Sequence, residues 1–267
     1  MKALHQQVSS SPRASQAIQL QAIAANKAGV VQRNHVDTGL KKDKATTEYA
    51  GKVKARLSGK KNPMGSTKQW QTLSDQAKGL KLLKYVNEQL IKAHVPPLKG
   101  LSMSGAAQPT FTLTTWQINL TGDLSRTDDA YLDWLIDVFY HESRHAEQWF
   151  RIARKRAGEG KTAAEIATLL SIPADIAAKA VERPLKEQSK SSKFLRSKKY
   201  TERQTKKLQE ATDWDASVYG TGAAHRTAVL TGDMTPGTAN YTAYENLPEE
   251  LDAYVVGPKA LAKYKNL

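Results

Sequence analysis

His141-Glu142-Ser143-Arg144-His145 has the residue types and the spacing for metal chemistry. On a helix, positions i and i+4 lie on one face a turn apart, so the two imidazoles can converge on a single zinc ion. Glu142 stands on the adjoining side, where a carboxylate can take a proton from a water at the metal without binding the metal itself. The chain has only six His, which makes the motif scarce by chance, and it lies in a strongly apolar segment where two imidazoles without a shared partner would be costly. The competing reading is a pair of half-exposed His bonded to Glu147 and nearby carbonyls.

A catalytic zinc site needs a third protein ligand and one position left for water. Downstream candidates are Asp213, Asp215, His225, and the cluster Glu245, Glu249, Glu250 and Asp252. Pro248 suits the first position of a helix, and Glu250 with Ala253 forms an E-x-x-A arrangement whose small Ala lets a second helix approach the His helix closely. Glu250 therefore ranks first, with Glu249, Asp215 and His225 left open. Acids in a first helical turn are also favoured with no metal at all. Asp215 to Gly220 misses the Asp-zinc peptidase pattern by one residue, and His225 sits in a Gly-rich stretch that suits a loop or substrate contact. Tyr241 and Tyr244 are oxyanion-donor candidates, although packing is the simpler role for both.

These residues need elements to hold them. Asp128-Asp129, with Ser125 or Thr127 ahead of them, opens a helix to about Arg156 whose first half, Ala130 to Tyr140, is almost wholly apolar. Ser74-Asp75 caps a second helix with Leu80, Leu82, Leu83, Val86, Leu90 and Ile91 at a 3.6 period, ending before Pro96-Pro97. Thr110 to Leu120 alternates and is rich in β-branched and aromatic residues, which predicts a strand. Thr162 to Ile172 and Ala174 to Val181 predict two short helices joined by a tight turn, resembling a helix-turn-helix, and Lys186 to Lys207 adds nine Lys or Arg against two Glu. DNA binding is thus the rival function. Against it, the turn is Ser-Ile-Pro instead of the usual Gly-containing one, and the second helix has few polar side chains to read bases.

Across 267 residues there is no Cys, which excludes disulfides, a thiol nucleophile and sulfur-ligated zinc, so any metal must rest on His, Asp or Glu. No apolar run is long enough to span a membrane. The net charge of +14 implies acidic partners without naming one. Met1 to Val31 has no apolar stretch of the Sec type, so the chain is expected to stay in the cytoplasm or leave by another route. Residues 1–68, with Tyr49 as their one aromatic, read as a flexible basic leader with a possible helix over 14–27.

H-E-x-x-H-x-x-Gln (His141 to Gln148), paired with Tyr-x-x-Leu-Pro-x-Glu-x-Asp-Ala (Tyr244 to Ala253), resembles the gluzincin-type metallopeptidase toxins of bacterial polymorphic toxin systems and extracellular contractile injection system cargo. Val30-Val31-Gln32-Arg33 and Thr38-Gly39-Leu40 are similar to the prologue that opens such cargo proteins. The resemblance implies one zinc per chain on His141, His145 and Glu250, with Glu142 as general base and a protein or peptide substrate. It also implies delivery from the bacterial cytoplasm by a non-Sec route, by way of a contractile particle or another carrier. The chain departs from compact gluzincins in the roughly hundred-residue gap between His145 and Glu250. The expected architecture is α+β: a mainly helical zincin-like domain with a small sheet over residues 69–267, carrying a basic helical insert at about 157–210. An inactive metal-stabilised binding protein is the third reading.

Overall fold

The computed structural model describes residues 38–57, 72–103, 109–120, 128–187 and 198–267. The possible helix over 14–27, the prologue at 30–33, and Ser125 and Thr127 lie outside the described residues, as does the middle of the Lys186 to Lys207 run. After a 3-10 turn at Gly39–Lys41 come α1 (Asp43–Leu57), α2 (Asp75–Lys92), β1 (Gly100–Ser102), β2 (Thr110–Thr112), β3 (Gln117–Asn119), α3 (Asp129–Gly158), α4 (Ala163–Leu170) and α5 (Ala174–Glu182). The order closes with α6 (Lys198–Tyr219), α7 (Ala223–Thr231), α8 (Ala239–Glu245) and α9 (Pro248–Asn266). The described chain is mainly helical with one small sheet, as the α+β reading requires. No described helix is long and apolar enough to cross a membrane.

The thirty-residue α3 is the axis of the fold. Asp128 caps it by accepting from the Tyr131 amide at 2.9 Å, and Leu135, Ile136, Phe139, Tyr140, Ala146, Ile152 and Ala153 are fully buried along it. Ser74 caps α2 as expected, accepting from the Ala77 amide. Helix α9 runs against α3 with Ala253, Gly257 and Ala260 on its buried face, and any Cβ at Gly257 would overlap the Asp137 carboxylate. Small residues at helical spacing thus bring the two backbones close, which is the role expected of Ala253.

The sheet has the order β1-β3-β2, with β1 parallel and β2 antiparallel to β3. The single strand expected over Thr110 to Leu120 is instead a hairpin. Residues 113–116 turn the chain, and Trp116 adopts a left-handed φ of 57° that buries its ring edge-on against Phe111 at 5.0 Å. Leu113-Thr114-Thr115-Trp116 contains none of the usual turn residues, so alternation ran through the bend unmarked.

The leader also ends earlier than residue 68. Residues 38–57 are built into the fold, with Thr38, Leu40, Tyr49, Ala50 and Val53 fully buried. Tyr49 stacks at a tilt on Tyr140, ring centres 4.8 Å apart, and donates to the Ile136 carbonyl. A segment with so few apolar residues has too little core of its own, but α3 and α9 supply the surface it covers. The two short helices of the expected insert form as α4 and α5, joined through a left-handed Ser171, and bury Ile166, Leu170, Ile176, Ala177 and Ala180.

Candidate metal centre

Halfway along α3, the Nε2 atoms of His141 and His145 lie 3.2 Å apart. Glu250, in the first turn of α9 behind Pro248, places Oε2 3.6 Å from His141 Nε2 and 3.4 Å from His145 Nε2. All three side chains are nearly closed to solvent. Glu250 Oε2 is buried with no hydrogen-bond partner, an expensive state for a carboxylate oxygen. Ligands bonded at about 2.0–2.1 Å around a tetrahedral zinc are about 3.3 Å from one another, and these three atoms have that separation. Among the described residues, His141, His145 and Glu250 form the group that could hold a metal ion.

The surroundings fix the donors. Gln148 Oε1 lies 2.8 Å from His145 Nδ1, which makes Nδ1 the protonated nitrogen and turns the Nε2 lone pair toward Glu250. The amide nitrogen of Gln148 donates to the Glu249 carbonyl at 2.8 Å and to Asp252 Oδ2 at 3.1 Å, so one side chain orients a ligand and latches α9 to α3. Arg144 donates to Asp252 at 2.7 Å and to Glu147 at 2.5 Å, and Arg151 joins Glu147 to Glu210. The 38–41 segment closes this buried network: the Leu40 amide donates to Glu147, Thr38 Oγ1 to Glu210, and Lys41 pairs with Asp252. Gly39 sits there at φ +57°, and a Cβ would overlap the Glu147 carboxylate.

Electrostatically the centre calls for a cation. Burial works against ionisation of Glu250, yet His145 and His141 hold its carboxyl well below the usual range. Burial also opposes charge on His145, but Glu250 and then Glu142 raise its imidazole to about 9. The site therefore favours positive charge between these groups, as a proton or as a metal ion. Glu142 is shifted the other way: burial lifts its carboxyl above the ordinary value, against the two imidazoles. Its Oε2 accepts from the Phe111 amide of β2 at 2.8 Å, so the sheet holds it beside the His pair without making it a ligand.

The other candidates are engaged elsewhere. Asp215 is clamped by Lys155 and Arg156, each at 2.8 Å. Glu249 is fully buried but turned away, accepting from Ser217 at 2.8 Å and Arg226 at 2.7 Å. His225 is exposed on α7, Asp213 is exposed and accepts from Gln209, Glu245 is outside the group, and Asp252 holds Arg144. Tyr241 packs, 4% exposed, and hydrogen-bonds Tyr254, whose ring meets His141 edge-on at 4.8 Å. Tyr244 lies near the site, where burial and then the Glu250 carboxylate raise its phenol well above the ordinary value. Sequence reading gave no role to the Phe111 amide, took Asp252 only as a ligand candidate and carried Gln148 only as the end of the motif; the one local signal for its contact was its place three residues after His145, on the same helix face.

Compared with known proteins, the chain matches no family model, no curated protein and no solved structure. The site must be judged on its own chemistry. Two imidazole nitrogens and one carboxylate oxygen, with no thiolate anywhere in the chain, are a donor set that suits zinc and leaves a coordination position for water.

Proposed function

We propose that this protein is a zinc-dependent metallopeptidase that hydrolyses peptide bonds and acts as a secreted or injected bacterial effector. The observation that carries the catalytic part is the convergence of His141, His145 and Glu250 beside an unligated, buried Glu142. His141, His145 and Glu250 would hold the ion. A bound zinc ion supplies Lewis acidity, making water a nucleophile near neutral pH and polarising a carbonyl. Glu142, with its carboxyl raised by burial, takes a proton from the attacking water and passes it to the leaving amine. The Phe111 amide keeps one Glu142 oxygen occupied and leaves the other for that transfer. Gln148 holds His145 in the binding tautomer.

A zincin-like fold and the gluzincin-type toxin resemblance belong to the same proposal, as does delivery with the N-terminal leader as a loading segment, narrowed from residues 1–68 to 1–37 because 38–57 are built into the fold. The exposed side of α5 carries Asp175 and Glu182, acids that work against docking on a DNA backbone, so the rival function gains no support there. Metal analysis of the full chain purified without chelators tests the reading. About one zinc per chain is expected, absent from His141→Ala and Glu250→Ala, together with hydrolysis of a denatured protein or peptide mixture. A metal-free wild type that zinc does not stabilise would overturn it, and zinc without turnover would leave the inert binding protein. Delivery is tested separately by whether deletion of residues 1–37 retains the protein in the producing cell.

A further inference from the structure

Glu249 and Asp252 decide which end of the Gln148 carboxamide meets His145. The Glu249 carbonyl, at 2.8 Å, and Asp252 Oδ2, at 3.1 Å, can only accept, so the group facing them is the NH2, and Oε1 is left for His145 Nδ1 at 2.8 Å. A reversed carboxamide would donate to Nδ1, move the imidazole proton to Nε2 and remove the lone pair that faces Glu250. Asp252 in turn serves three donors. Arg144 Nε, at 2.7 Å, shares Oδ2 with Gln148, and Lys41 Nζ, at 3.1 Å, takes Oδ1. Arg144 Nη2 is buried without a hydrogen-bond partner and stands on the same edge of the guanidinium as Nε. A carboxylate that turns both oxygens to that edge makes the stronger, two-bonded pair.

Lys41 opposes that turn. Its ammonium keeps Oδ1 on the side of the 38–41 segment, and its own backbone is held in place by Lys259 of α9, which donates to the Lys41 carbonyl at 2.7 Å. We propose, resting on the metal reading of His141, His145 and Glu250, that Lys41 is a positioning residue for that centre: through Asp252 and Gln148 it keeps the His145 Nε2 lone pair presented to the ion. Without Lys41, Asp252 turns both oxygens to Arg144. Gln148 then has only the Glu249 carbonyl to orient it, and the reversed carboxamide becomes accessible. The N-terminal segment thereby acts on a ligand that it does not touch.

Zinc affinity of the full chain, measured by chelator competition, tests this relay without recourse to turnover. Lys41→Met should weaken zinc binding by about tenfold, and Lys41→Arg should restore it. Lys263→Met, which breaks the 2.9 Å ion pair from α9 to Asp43 of α1, should leave the affinity unchanged, because it loosens the same two parts of the chain without touching Asp252. Since Lys41 acts through Gln148, Lys41→Met should add nothing to the loss caused by Gln148→Leu. Losses that multiply in the double variant, an equal loss in Lys263→Met, or a Lys41→Met chain that binds as wild type does would overturn the proposal and leave the metal reading standing. A wild type that takes up no zinc would overturn that reading, and the relay with it.

Discussion

Two imidazoles a turn apart cost little in sequence and much in the folded state, where burial removes the water that would satisfy them. Here the cost is met in part: Gln148 accepts the Nδ1 hydrogen bond of His145, and the Nε2 atoms and Glu250 Oε2 are left facing one another. Glu142→Gln should keep the metal, because Glu142 is not among the ligands, and lose peptide hydrolysis by about 10²–10⁴-fold. Metal content and turnover measured on one preparation check this, and retained activity would remove Glu142 from its role. Gln148→Leu should weaken zinc binding by about 10–100-fold in a chelator competition by freeing the His145 ring and unlatching α9.

At the scale of elements, the third ligand depends on how closely α9 approaches α3. Ala253 is fully buried between them, so Ala253→Leu should cost about 1–3 kcal/mol in urea unfolding and also displace Glu250 enough to lower zinc affinity. The 38–41 segment is a second such joint. Gly39→Ala combines a left-handed backbone with overlap on Glu147, and a loss of about 2 kcal/mol or more is expected from denaturant midpoints. If that Gly39→Ala variant proved as stable as wild type, the segment would not be what holds the buried network. The sheet contributes through one contact, the Phe111 amide on Glu142, which the hairpin makes possible and a single straight strand would not have announced.

For the whole molecule, charge and metal both bear on stability. If the centre takes zinc, a chelator should lower stability by up to about 4 kcal/mol when the metal had been held at a thousandfold its dissociation constant. The Lys207 ammonium, facing Arg151, Arg154, Lys42 and Glu147, is held down to about 8 in the folded chain against about 10.4 when unfolded. Below pH 8 both states are protonated and the penalty is complete; between these values the unfolded chain binds more protons, so stability rises with pH. The advantage of Lys207→Gln over wild type, about 1–2 kcal/mol after solvent screening, should therefore shrink from pH 7 to pH 10.5 in matched urea melts. A pH-independent difference would contradict the assignment.

The sequence alone determined what is local. His141, Glu142 and His145 share one helical turn, so their relation follows from helix geometry, and the caps at Ser74 and Asp128 with the periodic faces of α2 and α3 are equally short-range. The absence of Cys limited the ligands before any fold was known. What lay roughly a hundred residues away was decided only by packing. Glu249, Glu250, Asp252 and Asp215 are the same chemistry in sequence, and the approach of α9 to α3 alone aims Glu250 at the imidazoles while Arg226, Arg144 and Lys155 claim the others. Residues 38–57 likewise looked too polar to fold, because the surface that buries Leu40 and Tyr49 belongs to distant helices.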